Sequence, residues 1–374
     1  MNRCWPVVLL VAFAVTPAFA AELPTDNARR TAIDKAVDVA AKTFFADACR
    51  GGLSLAVVDG KGTAPRFYNY GSVSRQRQQL PRPDTVYELA SVTKTFTGAL
   101  AAKAVVDNKM TLDDDFRTYL PEPYPNLQFA GKPITLRTLA SHRSGMPRDI
   151  PDTDAIMAAP DVARRPERLL AIERDVTPAD FPAALHGVAL RSSPGSTEAY
   201  SNAGMKVIAM GLAQVYRMAF EPLLRNVVLE PLHMRDTVFV LDPDQTRRLA
   251  TGYDREGKPT PFHTINAGAS WGLYSTTADM AKYVAWHLDE TDPTIATAHA
   301  VIAGNADDGK GMIWNEGSDQ GKRLLWHGGG SFGMSSQVVL FPPGQGFVLL
   351  ANDTCAGTEG ALKDIAIAVH AAAR

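Results

Sequence analysis

Polar and apolar positions repeat with a helical period from Asn27 to Ala48, which predicts an amphipathic helix. Two short runs rich in apolar and β-branched or aromatic residues come next, Leu53 to Val58 and Arg66 to Gly71. They predict strands joined through the Asp59-Gly60 turn region. Ser91 to Asp107 predicts a helix that opens on its serine. From there to about Thr260 the pattern is helical segments, Met205 to Tyr216 and Phe220 to Val228 among them, separated by Pro/Gly-rich connections. Asp279 to Leu288 is helical again. Strands are predicted at Leu324 to Trp326, Ser335 to Phe341 and Phe347 to Ala351, and Glu359 to Ala373 closes as an Ala-rich helix. The fold class expected is therefore α/β. An antiparallel sheet flanked by helices is built from residues 21-90 and 261-374, with a mainly helical lobe, residues 91-260, inserted between them. A cleft between lobes is a common place for a ligand.

Ahead of these elements, Arg3 supplies positive charge, Val7 to Val15 an apolar core and Ala18-Phe19-Ala20 a small-x-small cleavage site, the make-up of an export signal over residues 1-20. The mature chain is expected to start near Ala21 and to be secreted, or periplasmic where the cell has a periplasm. Cys4 lies too early for a lipid anchor. The apolar core is too short and wrongly flanked to span a bilayer, and no later stretch is long enough. A chain of 374 residues, 45% hydrophobic, can bury a large core in more than one lobe. Its formal charge of -2 provides no basic surface for nucleic acid. Its eight histidines show no His-Glu-x-x-His spacing and no paired-cysteine pattern accompanies them, so no metal or other cofactor is implied. No repeat, low-complexity linker or pattern that would set the oligomeric state is present.

The segment Tyr87-Glu88-Leu89-Ala90-Ser91-Val92-Thr93-Lys94 carries candidate chemistry. Residues i and i+3 share a helix face, so the Lys94 amine can reach the Ser91 hydroxyl, which is a poor nucleophile until a base accepts its proton. At a helix start the Ser91 N–H is also unsatisfied and can face a developing oxyanion. Two later segments add to it. Tyr200-Ser201-Asn202 comes after the turn Ser193-Pro194-Gly195-Ser196, and His327-Gly328-Gly329-Gly330 ends the apolar run Leu324-Leu325-Trp326.

Taken in order, Ser-x-x-Lys, Tyr-x-Asn and a basic residue followed by Gly-Gly resemble the penicillin-recognising serine hydrolases: class C β-lactamases, DD-peptidases and related esterases. The likeness runs from about Gly52 to the C-terminus and is most marked toward class C enzymes and AmpH-type DD-carboxypeptidase/endopeptidases. It includes Pro133 to His142 with Ser144-Gly145, Pro231-Leu232-His233-Met234 with Asp236-Thr237, and Gly272 to Thr276 before Asp279-Met280. Two positions depart from the class C pattern. Ala90 stands where Gly is usual, a small steric change, and His327 stands where β-lactamases have lysine.

The resemblance implies that Ser91 attacks a carbonyl to form an acyl-enzyme and that its proton is shared by Lys94 and Tyr200, either of which can be the base. It implies that Asn202 offers a donor and an acceptor to a substrate amide, and that Gly330 N–H is the second oxyanion donor. Gly328 and Gly329 would let the substrate backbone approach, and His327 would orient a substrate carboxylate or stabilise the tetrahedral intermediate. An imidazole titrates near 6.5, so a carboxylate contact through His327 should weaken from about pH 6 to 8. The resemblance further implies that the strands starting at Leu53 and ending at Ala351 are antiparallel neighbours, which sets Cys49 opposite Cys355 and predicts a disulfide.

A rival motif overlaps the third segment: Gly329 to Gly333 matches Gly-x-Ser-x-Gly, and His327 to Gly330 matches the oxyanion loop of lipases. In an α/β-hydrolase those motifs are separate and the serine turn leads into a helix, whereas Ser331 precedes a strand-like run with only His370 left to serve as base. Three function classes fit the remaining chemistry. The first is an exported D-Ala-D-Ala carboxypeptidase/endopeptidase or weak class C-like β-lactamase, acting on a small-molecule or peptidoglycan-peptide substrate. The second is an esterase or D-amino-acid amidase on the same scaffold, favoured by His-Gly-Gly and the Ser335-Ser336 pair. The third is a non-catalytic β-lactam sensor, against which the intact Ser91, Lys94, Tyr200 and Asn202 set stands.

Overall fold

Eight antiparallel strands pair in the order Arg66–Gly71, Gly52–Val58, Gln345–Ala351, Ser335–Phe341, Lys322–Gly330, Asn315–Asp319, Gly309–Lys310 and Ala303–Gly304. This computed structural model describes residues 22–60, 62–161, 164–175, 179–260 and 268–372. The expected export signal and the lobe boundary at 261 lie outside the described residues. The sheet joins the two ends of the chain through one ladder, in which Leu53 faces Ala351 and Val58 faces Gly346. Gly52–Val58, Ser335–Phe341 and Gln345–Ala351 are buried at every position, as strands covered on both faces must be.

Alternation along those strands sends side chains into two cores. Leu55, Val57, Val339 and Leu349 pack with Val37, Ala41, Leu362 and Val369 of the helices Ala32–Phe44 and Thr358–Ala372. Ala56, Val338, Leu340 and Leu350 face the other way, toward Phe96, Leu100, Met280 and Val284 of the helices Thr93–Val106 and Thr277–His287. Local signals set the helix starts. Thr31 and Asp34 form a reciprocal capping box, and the Thr276 side chain accepts from Asp279 N–H. The helix predicted over Asn27 to Ala48 is accordingly shorter, Ala32–Phe44.

Thr93–Val106 is buried around nearly its whole circumference, which a sequence of Thr, Gly and Ala with few long side chains permits. A methyl group added at Gly98 would sit 2.5 Å from the Met312 carbonyl, so the neighbouring chain lies directly on this helix. The nucleophile segment is thus fixed to a largely buried helix.

Two features differ from the reading of the pattern. The strand Lys322–Gly330 continues through the glycine run, because Gly329 and Gly330 pair with Ser336 and Ser335. Asn315–Asp319 is a strand despite the sequence Asn-Glu-Gly-Ser-Asp, since it pairs back on Lys322–Gly330. Cys49 and Cys355 are bonded with Cα atoms 6.0 Å apart, at the ends of the paired strands where the ladder sets them opposite each other.

Candidate active site

Ser91 lies in a single 3₁₀ turn, Ala90–Val92, and the α-helix proper begins at Thr93 rather than at the serine. In a 3₁₀ turn residues i and i+3 eclipse, so the spacing still carries Lys94 onto Ser91. Entry to the turn needs left-handed backbone: Ala90 is buried with φ +46°. The departure from Gly at this position is therefore conformational rather than a matter of bulk.

Lys94 Nζ lies 3.2 Å from Ser91 Oγ, and the Tyr200 hydroxyl donates to the same oxygen at 2.6 Å. Lys94 also donates to the Ser270 carbonyl and is fully buried. Burial, and then the Arg148 charge, hold its amine well below the usual lysine range, against the opposing charge of Asp149. Burial moves the Tyr200 phenol upward, although the hydrogen bond with Ser91 and the Arg148 charge pull it back. Of the two candidate bases, the amine is the one whose proton is easily lost. Arg148 stacks on the Tyr200 ring with its guanidinium carbon 5.1 Å from the centroid.

Asn202 begins the helix Asn202–Tyr216, which Ser201 caps by accepting from Gly204 N–H. Asn202 Nδ2 donates to Asp149 at 2.7 Å, while its Oδ1 is buried with no hydrogen-bond partner among the described residues. Ser91, Asn202 and Gly330 line one cleft of about 750 Å³, whose other walls include Arg148, Trp271 and Leu170. Gly329 faces the nucleophile turn so closely that an added methyl would sit 2.8 Å from Ser91 N and 2.4 Å from the Leu89 carbonyl. Any larger residue there would push the strand off the turn.

His327 and Gly328 line a smaller cavity of about 290 Å³ that also touches Tyr200. His327 Nδ1 is 2.8 Å from the Gly328 carbonyl, which can only accept, so Nδ1 carries the proton and Nε2 is the acceptor. Burial, with the Lys94 charge next, pushes His327 down to about 3. This corrects the expectation of a titrating carboxylate contact: the imidazole is neutral from pH 6 to 8. Ser331 is likewise placed out of the rival reading. Its Oγ accepts from Met334 N–H at 3.1 Å in the turn between two strands, and His370 bonds Gln345 Oε1 at 2.9 Å.

The structure also adds residues that the sequence reading left out of the site. The His142 ring lies 4.6 Å from the Tyr200 ring, and Ser201 N–H donates to His142 Nδ1 at 3.3 Å. Burial and the Lys94 charge keep this imidazole well below the ordinary range. Ser270 anchors Lys94, and Asp149 holds Asn202. Glu359, in the first turn of Thr358–Ala372, lines both cavities; the residue as a whole is exposed, but the protein packed around its carboxyl end desolvates that group and raises its pKa above the usual value. Sequence signals for these were faint. Ser141-His142 stood out only as part of a longer landmark, and an acid opening a helix is ordinary. Among the described residues no helix is long and apolar enough to cross a membrane, and no group of three or more His, Cys, Asp or Glu side chains is placed to hold a metal ion.

Comparison with known proteins gives a consistent picture. The family model described as Beta-lactamase matches residues 37–372. The D-alanyl-D-alanine-carboxypeptidase/endopeptidase AmpH of Escherichia coli is 30% identical over 255 residues, 67% of this chain. That match spans 61% of the relative's own length. A β-lactamase of Lysobacter lactamgenus is 28% identical over 298 residues, covering 77% of this chain and 70% of the relative. The crystal structure of a β-lactamase/D-alanine carboxypeptidase from Yersinia pestis shares the fold with TM-score 0.74 at 24% identity, covering 91% of this chain and 99% of that one.

Proposed function

The chain belongs to the β-lactamase family, and we propose that it is a serine hydrolase in which Ser91 carries the acyl group of a D-Ala-D-Ala-type peptide or a β-lactam. The observation that carries this reading is the position of Ser91 Oγ, 3.2 Å from a buried, easily deprotonated Lys94 amine and 2.6 Å from the Tyr200 hydroxyl. Neutral Lys94 takes the Ser91 proton as Oγ attacks the carbonyl, and Tyr200 passes a proton to the leaving group. Ser91 N–H and Gly330 N–H receive the oxyanion, and the unpartnered Asn202 Oδ1 accepts from the substrate amide. Water then releases the acyl group by the same route in reverse. Relatives named as DD-carboxypeptidase/endopeptidase and β-lactamase support this substrate class.

The reading treats residues 91-260 as a helical lobe over a discontinuous α/β lobe of 21-90 and 261-374. It also has the chain act outside the cytoplasm, on the support of the Cys49–Cys355 bond and the Arg3 to Ala20 export pattern. An ester or amide substrate without a free carboxylate is a second reading, favoured by the neutral His327 where a cation would be needed to hold a carboxylate.

The test is intact-mass analysis and peptide mapping after mixing with a penicillin, together with turnover of a D-Ala-D-Ala peptide and a neutral chromogenic acyl ester. The expected result is an acyl adduct on Ser91 and a loss of turnover of roughly 10⁴-fold or more in Ser91→Ala. An adduct mapped to another residue, or full activity in Ser91→Ala, overturns the reading.

A further inference from the structure

The outer face of the glycine strand meets a carboxylate. A methyl group added at Gly330 would sit 2.6 Å from Glu359 Oε1, and one at Gly328 would sit 2.9 Å from Glu359 Oε2. Glu359 therefore lies flat on alternate residues of the strand whose intervening residue, Gly329, abuts the Ser91 turn. It is exposed to the cleft, faces the same space as Ser91, Asn202 and Gly330, and closes the smaller cavity beside His327. No hydrogen bond or ion pair is made to its carboxylate among the described residues.

The cations nearby are engaged. Lys310 pairs with Glu198 at 2.7 Å and donates to Asn315 at 2.6 Å. Arg148 pairs with Asp149 at 3.5 Å, and Lys363 Nζ lies over the Trp326 ring, 4.7 Å from its centroid. His327 is uncharged. Glu359 thus presents a carboxylate without a hydrogen bond or ion pair on this wall, with Lys363 the cation one turn along its own helix, and a substrate group lying beside Gly328 and Gly330 meets that carboxylate at short range in a partly enclosed space, where charge contacts are strong in either sign.

We infer that Glu359 sets substrate charge in this site: it selects substrates that carry an ammonium group, rather than a carboxylate, next to the scissile bond on the side of the Lys322–Gly330 strand. The inference rests on the Ser91 acyl-enzyme reading and, within it, favours the second substrate class named above, an ester or amide without a free carboxylate, over a D-Ala-D-Ala-type peptide. Ammonium N–H groups donate to the Glu359 oxygens, whereas a terminal carboxylate at the same place is repelled.

The experiment uses three substrates that share one N-acyl-D-alanyl group and differ only in the leaving amine: D-alanine, D-alaninamide and 2-aminoethylamine. Each is measured for kcat/KM and as a competitive inhibitor of a neutral chromogenic ester, so that poor turnover still yields a charge order. The expected order is ammonium, then neutral amide, then carboxylate. Glu359→Gln, which keeps the shape, is expected to reduce the ammonium-to-carboxylate ratio by about 10 to 100-fold. A wild-type preference for the carboxylate peptide, no preference in turnover or inhibition, or a ratio unchanged in Glu359→Gln overturns the assignment. Ester turnover that depends on Ser91 while the charge order is absent defeats the Glu359 role alone. Ester turnover independent of Ser91, or no ester turnover at all, defeats the underlying reading and the Glu359 role with it.

Discussion

Lys94 Nζ is fully buried 3.2 Å from Ser91 Oγ, and the two charges nearest it in effect, Arg148 and Asp149, act on its proton in opposite senses. If Lys94 acts as an unprotonated base, kcat/KM rises with pH through its pKa and then levels. Arg148→Gln removes a charge that lowers that pKa, so the acidic limb should move to higher pH. Asp149→Asn removes one that raises it, so the limb should move to lower pH. Profiles on a neutral ester check both, and shifts of the same sign in the two variants would exclude Lys94 as the titrating group.

Ala90 stores backbone strain directly before the nucleophile, with φ +46°. An alanine in left-handed backbone costs about 1–2 kcal/mol, and glycine returns part of that gain through its freer unfolded chain. Ala90→Gly is expected to raise stability by roughly 0.5 kcal/mol. Denaturant midpoints for the two proteins decide it, and a destabilised variant would contradict the strain argument.

His327 is expected to keep one neutral tautomer, protonated on Nδ1, from pH 5 to 8, because burial holds its pKa at about 3. Its ring signals, assigned by comparison with His327→Gln, should stay flat over that range. A titration centred near 6.5 would restore the carboxylate-reading role that a neutral imidazole does not support.

Acid should weaken the fold before the carboxylates titrate. His142, His287 and His327 are all buried and their pKa values lowered, burial being the first cause in each. Below about 6.5 the unfolded chain binds protons that the folded chain refuses, so stability falls as pH falls, by about 1.4 kcal/mol per pH unit for each imidazole held fully neutral. Urea midpoints at pH 7.5 and 5.5 measure this. A midpoint that is level or higher at pH 5.5 contradicts it.

The Cys49–Cys355 bond closes a loop with a sequence separation of 306 residues. Replacing both cysteines by serine is expected to cost about 2–5 kcal/mol. Unfolding of the double variant and of the oxidised parent compares the two directly, and equal midpoints would mean that the bond constrains little.

Features that depend on near neighbours along the chain were legible in the sequence. Helix and strand existence came from hydrophobic period and the reach of Lys94 to Ser91 from an offset of three residues, whereas the pairing of the two cysteines came from the family resemblance, which implied that their flanking strands are neighbours. Even so, the glycine run of Lys322–Gly330 and the polar strand Asn315–Asp319 were missed, because their partners, not their propensities, make them strands. The protonation of the site and the carboxylate on its wall emerge only from the fold. Burial of Lys94, His142 and His327, and the placing of Glu359 against Gly328 and Gly330, bring together segments that are far apart in the chain. Desolvation and charge sum over every neighbour in space, and that sum has no local signature for a sequence to carry.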